Sequence, residues 1–179
     1  MPDSAALPVP QAEDVVASTR KILSANDKAF RIPNAIEMEE VMAVTLSPGF
    51  EGGPQKIGNA LPPHKWSNDS QFFARANKVG DSATFTFAEQ YQPRRMIVYP
   101  TISHDYGILD FYVNGKWVKR GWDGYDPASH PGAPIDLGVR APDGNVIRIK
   151  VEVAGKNPKS IGYHFGIDAV ELRNPEETQ

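Results

Sequence analysis

The chain contains no cysteine, which excludes disulfides, thiolate nucleophiles, zinc ribbons and iron–sulfur clusters and leaves packing, or hard-metal ligation by oxygen, to hold the fold. A surplus of positive charge is also missing: 19 Lys and Arg stand against 22 Asp and Glu, for a net charge of -3. A protein built to grip nucleic-acid phosphates needs the opposite balance, so a DNA or RNA reader is disfavoured. No run of about eighteen apolar residues occurs, and no segment reads as a membrane span. The opening Met1-Pro2-Asp3-Ser4-Ala5-Ala6-Leu7-Pro8 lacks the basic and apolar stretches of a signal peptide. That leaves a cytoplasmic protein or a piece of a longer exported chain, and the proline-rich start favours the second. No internal repeat of about 20–50 residues is found, which argues against solenoids and propellers.

What is present is an ordinary globular mixture, 40% hydrophobic and 23% charged over 179 residues, enough for one domain with a core of its own. Residues 1–31 read as a linker and helix, 32–174 as a β-rich domain and 175–179 as a tail. Within 11–30, Ala12, Val15, Val16, Thr19, Ile22 and Leu23 recur at helical spacing, with acids early and bases late, so one amphipathic helix is expected there. From Ile32 onward, short β-type runs are punctuated by Gly, Pro, Asn and Asp. The expected strands are Ile36–Leu46, Ser70–Ala76, Ser82–Ala88, Arg94–Ile102, Ile108–Val113, Lys116–Lys119, Ile135–Arg140, Asn145–Val153 and Tyr163–Leu172. Strands without intervening helices imply an all-β antiparallel sandwich or barrel. Asn114-Gly115 is the strongest hairpin signal, because both central residues of that turn need positive φ. Ser47–Asp69 and Gly121–Pro134 read as long loops, the kind that carries function.

Ile36-Glu37-Met38-Glu39 alternates apolar with acidic, as does Gly166-Ile167-Asp168-Ala169-Val170-Glu171-Leu172 near the other end of the chain. If the first and last strands are neighbours, Glu37, Glu39 and Asp168 converge. Such an oxygen-only cluster either holds Ca²⁺ or forms a solvated acidic face. A glycan site needs flat aromatic faces for the CH side of a pyranose and polar groups for its hydroxyls. The candidate ligand residues are Trp66, His104, Asp105, Tyr106, Trp122, Asp123, Tyr125, Asp126 and Asn157, with Trp117 as a further aromatic. Each also has a bland reading, as core plug or turn residue.

Taken in order, Ile36-Glu37-Met38-Glu39, Gly80-Asp81 before the Ser82–Phe87 strand, Arg95–Tyr99, Leu109–Gly115, Asp143–Val153 and Ile167–Leu172 resemble the galactose-binding-like jelly roll. The resemblance covers about residues 34–173 and is closest to carbohydrate-binding module families six and thirty-five. Asp105-Tyr106-Gly107, Tyr125-Asp126-Pro127, Asp136-Leu137-Gly138 and Gly155–Ser160 are similar to C-terminal ancillary modules of secreted bacterial proteins. The resemblance implies a jelly-roll sandwich and a structural calcium on Glu37, Glu39 and Asp168 that pins the terminal strands together. It further implies a non-catalytic, lectin-like module of a larger exported protein, extracellular or periplasmic, with carbohydrate and an attached catalytic domain or subunit as partners.

Two alternatives remain at this point. One is an interaction module that docks a partner domain without sugar. The other is a small glycoside-active enzyme using two of Asp105, Asp110, Asp123 and Asp126. The histidines His64, His104, His130 and His164 match no zinc spacing, and Lys159-Ser160-Ile161-Gly162 is no nucleophile elbow.

Overall fold

Period-two alternation puts one face of each strand into a shared core. In the computed structural model, which describes residues 29–57, 65–88 and 92–176, this happens along most of the chain after Asn34. The strands are β1 Ala35–Glu37, β2 Val44–Leu46, β3 Gly52–Lys56, β4 Ser70–Ala74, β5 Ser82–Ala88 and β6 Arg94–Ile102. They continue with β7 Ile108–Val113, β8 Lys116–Asp123, β9 His130–Pro131, β10 Ile135–Arg140, β11 Val146–Gly155 and β12 Phe165–Arg173. One sheet runs β10-β6-β12-β4-β3, with β1 also on β12 and β9 on β6; the other runs β2-β5-β11-β7-β8. All pairings between these strands are antiparallel. The architecture is the all-β jelly-roll sandwich that the sequence implied.

Between the sheets, Ala83, Phe85 and Phe87 of β5, Leu109, Phe111 and Val113 of β7 and Ile147, Ile149, Val151 and Val153 of β11 face Met38, Phe72, Met96, Val98, Phe165, Ile167 and Val170. Phe72 meets Phe85 edge to face, centroids 4.9 Å apart at 87°, so an aromatic pair ties one sheet to the other. The β7–β8 turn is the one the sequence signalled, with Asn114 and Gly115 at φ 47° and 76°.

Three expectations need correction. Ile36–Leu46 is not one strand: β1 belongs to the first sheet and β2 to the second, and a 3-10 turn at Met38–Glu40 drops the fully buried Met38 into the core as the chain crosses over. Both expected long loops contain strands, β3 in the first and β9 in the second, and β8 extends to Asp123. Gly52-Gly53-Pro54 reads as a loop by composition, yet β3 is an edge strand, where a proline's missing N–H is tolerated. The expected helix over 11–30 falls outside the described residues except for Ala29 and Phe30, which are not helical.

β12 organises the first sheet. Along one edge it pairs with β6; along the other, Phe165–Ile167 pair with β4 and Ala169–Glu171 with β1. The register against β6 slips between Ile167 and Ala169, leaving Asp168 as the extra residue of a β-bulge, opposite the point where β4 gives way to β1. The first and last strands of the domain are therefore neighbours, the condition on which convergence of the acids depended.

Truncating the aromatic that joins the sheets is the sharpest test of this core. Phe85→Ala is expected to lower unfolding free energy by about 3–5 kcal/mol in a urea titration; a loss below about 1 kcal/mol would show that the core does not depend on this contact.

Candidate functional site

The bulge turns Asp168 into a buried junction, 1% exposed. Its two carboxylate oxygens accept the Ser67 backbone N–H at 3.0 and 3.1 Å. Ser67 in turn donates its hydroxyl to Glu37 Oε1 at 2.7 Å and accepts the Ile32 N–H at 2.9 Å. Asn68 Nδ2 donates to Glu39 Oε1 at 3.0 Å, and Arg31 lies 3.6 Å from Glu37. Asn68 and Asp69 both adopt left-handed backbone, φ 52° and 51°. Such residues cost of the order of 1–3 kcal/mol each and persist only where their surroundings hold them. Desolvation pushes the Asp168 carboxyl up to about 8, reinforced by the charges of Glu37 and Glu39. Burial likewise raises Glu37, against the Ser67 hydrogen bond.

Glu37, Glu39 and Asp168 thus gather at one junction, but Ser67 stands between Glu37 and Asp168. Among the described residues no three His, Asp or Glu side chains form a ready metal-holding group. Even so, Glu37 Oε2 and Glu39 Oε2 are buried without hydrogen-bond partners. Two orphaned carboxylate oxygens beside a third buried acid are chemically suited to a hard cation.

The same segment walls a cleft. Trp66, just before Ser67, is buried at 4% exposure, and its Nε1 donates to Thr101 Oγ1 of β6 at 3.0 Å. A cleft of about 270 Å³ opens beside it. Its floor is Gln71 and Phe73 of β4, one side is Gln55, Lys56 and Ile57, and the other is Ser103–Tyr106 with Ser129. Gln71 Nε2 donates to Gln55 Oε1 at 2.6 Å and to the Tyr106 hydroxyl at 3.2 Å. Phe73 stacks on Tyr106, centroids 6.1 Å apart, and meets His164 edge-on at 5.5 Å. Gly166 of β12 lies beneath: a Cβ there would collide with Gln71 Oε1 and the Tyr106 hydroxyl, so only glycine lets the two polar groups lie this close to the sheet. Burial pushes the Tyr106 phenol well above its ordinary value, keeping it a neutral hydroxyl. Asp105 lines the cleft, and its Oδ1 is buried without a hydrogen-bond partner.

Of the nine ligand residues expected from sequence, Trp66, His104, Asp105 and Tyr106 line this cleft. Trp66 and Tyr106 do so as buried side chains, not as open stacking faces. The other five lie elsewhere. Trp122 packs its half-buried ring on Phe111, centroids 6.4 Å apart. Asp123 accepts from Asn157 Nδ2 at 2.5 Å and from the Tyr125 N–H at 3.0 Å. Asp126 accepts the Ala128 N–H at 2.9 Å and stands 3.5 Å from His130. Their loop is tied to the cleft through Ser103, whose N–H and carbonyl bond Gly124 and Asp126, and it contributes Ser129 to the lining. Gln55, Gln71 and Phe73 were not anticipated; the only signal was the adjacent Phe72-Phe73 pair, of which one member must face away from the core.

No protein-family model matches the chain, and no curated protein matches it. Among solved structures, Paenibacillus xanthan lyase is similar at 20% identity and a TM-score of 0.65, over 82% of this chain and 14% of that one. A family 35 carbohydrate-binding module from Clostridium thermocellum aligns at 17% identity and a TM-score of 0.46, over 79% of this chain and 99% of the module. The family 35 module of Paenibacillus barcinonensis aligns at 12% and 0.45, over 77% and 96%. The likeness to xanthan lyase shows the fold alone, and the chain spans only a small part of that enzyme.

A carboxyl whose folded-state value is raised binds its proton more tightly when folded, so the stability it contributes is full below about 4 and is lost as pH rises toward about 8. In chelator, the melting temperature is expected to fall across that window, and Asp168→Asn, which keeps an acceptor for Ser67, should flatten the slope. A melting temperature that rises with pH and is unaffected by Asp168→Asn would contradict the burial of this acid.

Proposed function

We propose that the chain is a non-catalytic carbohydrate-binding module, the ancillary part of a larger exported protein, and that the cleft over β3, β4 and β6 takes the sugar. The observation that carries the reading is Asp105, a lining residue whose Oδ1 is buried and unpartnered, in a cleft floored by an aromatic ring and lined by amides. A pyranose offers what such a cleft lacks: a hydroxyl donor for the orphaned carboxylate oxygen and CH groups for the Phe73 ring. The loop cluster around Trp122, Asp123, Tyr125, Asp126 and Asn157 is less suited, because its carboxylates are already paired within the chain. Among the described lining residues of this cleft, Asp105 is the sole carboxylate. Glycoside hydrolysis needs two flanking one bond, so binding is the better fit.

A structural Ca²⁺ belongs to the same proposal. Glu37 and Glu39 offer buried free oxygens and Asp168 the third carboxylate, and the ion would supply positive charge that fastens Ser67's segment and β1 to β12.

Titration of a neutral oligosaccharide panel by calorimetry is expected to give saturable binding that Asp105→Ala weakens about tenfold, near 1.4 kcal/mol, with an unchanged melting temperature. Silence across the panel would favour a docking module instead. Chelation is expected to lower the melting temperature and added Ca²⁺ to restore it; an unmoved melt would remove the ion.

A further inference from the structure

The cleft does not end at Phe73. A second hollow of about 220 Å³ continues along β3 and β4, lined by Glu51, Gly52, Gly53, Pro54 and Arg75. Gln55 and Phe73 line both hollows, so the two abut across the Phe73 ring. Either alone is smaller than the ~300–1,000 Å³ of a typical small-molecule site, and together they reach that range. The strand register explains why the trench is continuous. Gly53 pairs with Phe73 and Gln55 with Gln71, so on this face the partner opposite Phe73 has no side chain. A Cβ on Gly53 would meet nothing within 4 Å. The ring is partly exposed there, and it is braced from behind by Tyr106 and His164.

Charge in the trench is balanced. The larger hollow carries Lys56 and Asp105 besides His104, and the smaller carries Arg75 and Glu51. Neither hollow presents a field of one sign to select an anionic ligand.

Resting on the carbohydrate-binding reading above, we infer that the trench binds an internal stretch of a neutral linear polysaccharide, at least two sugar units long, laid across Phe73 with one unit in each hollow. Gln55, reaching both hollows, contacts the linkage between the two units. Arg75 and Glu51 serve the second unit, and Asp105 and Gln71 the first.

The test is a chain-length series of manno-, cello- and xylo-oligosaccharides, one to six units, titrated into the full chain. The expected result is an affinity that climbs at least about tenfold from monosaccharide to tetrasaccharide in one series, and that changes less than about twofold on raising salt from low to high. Gly53→Trp, placed in open space, is expected to reduce tetrasaccharide affinity to that of the monosaccharide and to leave monosaccharide binding unchanged. Arg75→Ala, whose exposed side chain leaves the core intact, is expected to give the same pattern more weakly and stands in if Gly53→Trp fails to fold. Monosaccharide and tetrasaccharide bound equally, or both variants weakening them in parallel, would overturn the two-unit trench while leaving sugar binding intact. No binding of any sugar at any length would instead overturn the carbohydrate reading itself.

Discussion

Asp168 stands where β4 gives way to β1 along one edge of β12, and both its oxygens take the N–H of Ser67. A carboxyl this deeply buried is costly unless it is protonated or satisfied. The structure satisfies it with a backbone donor drawn in from outside the sheet. Ser67 then becomes a hub: its hydroxyl reaches Glu37 on β1 and receives the Ile32 N–H while its own N–H holds Asp168, so three separate stretches of chain meet at one residue. The left-handed turn at Asn68 and Asp69 is the cost of bringing Ser67 there, and the Asn68 to Glu39 hydrogen bond helps to hold it.

The cleft depends on that junction. With Ser67 fastened, Trp66 is carried onto the outer face of the first sheet, where its bond to Thr101 fixes one wall. The opposite wall is set independently, by the Ser103–Tyr106 turn and the loop zipped to Ser103. Beneath both, Gly166 lets Gln71 and Tyr106 sit flush with the sheet, and Tyr106 backs the Phe73 ring. Structural acids and candidate ligand groups are thus distinct sets of residues joined by two consecutive positions, Trp66 and Ser67.

Much of this was legible in the sequence because strands with one buried face must alternate. Thr84-Phe85-Thr86-Phe87 and the Val146–Val153 run could hardly do otherwise, and Asn114-Gly115 could make only one kind of turn. The meeting of Glu37 and Asp168 was legible only on the condition that the first and last strands of the sandwich pair, which alternating acids do not themselves require. What the pattern hid were the places where tertiary structure overrides it. The Met38–Glu40 turn interrupts a good alternation because the chain must change sheets. β3 hides because an edge strand tolerates Gly and Pro. Ser67 as the acids' partner had no sequence signal, and Phe73 was masked by its neighbour Phe72, the true core residue. The loop aromatics drew attention by composition, yet Trp122 serves packing and Asp123 closes its own loop.

The most direct measurement is chemical-shift mapping of the backbone amides as an oligosaccharide is added. If the cleft is the binding site, the perturbed amides cluster on Gln55, Gln71, Phe73 and Ser103–Tyr106, which share one surface though they are distant in sequence. Shifts confined to Asp123–Asp126 and Asn157, with β3 and β4 silent, would contradict it.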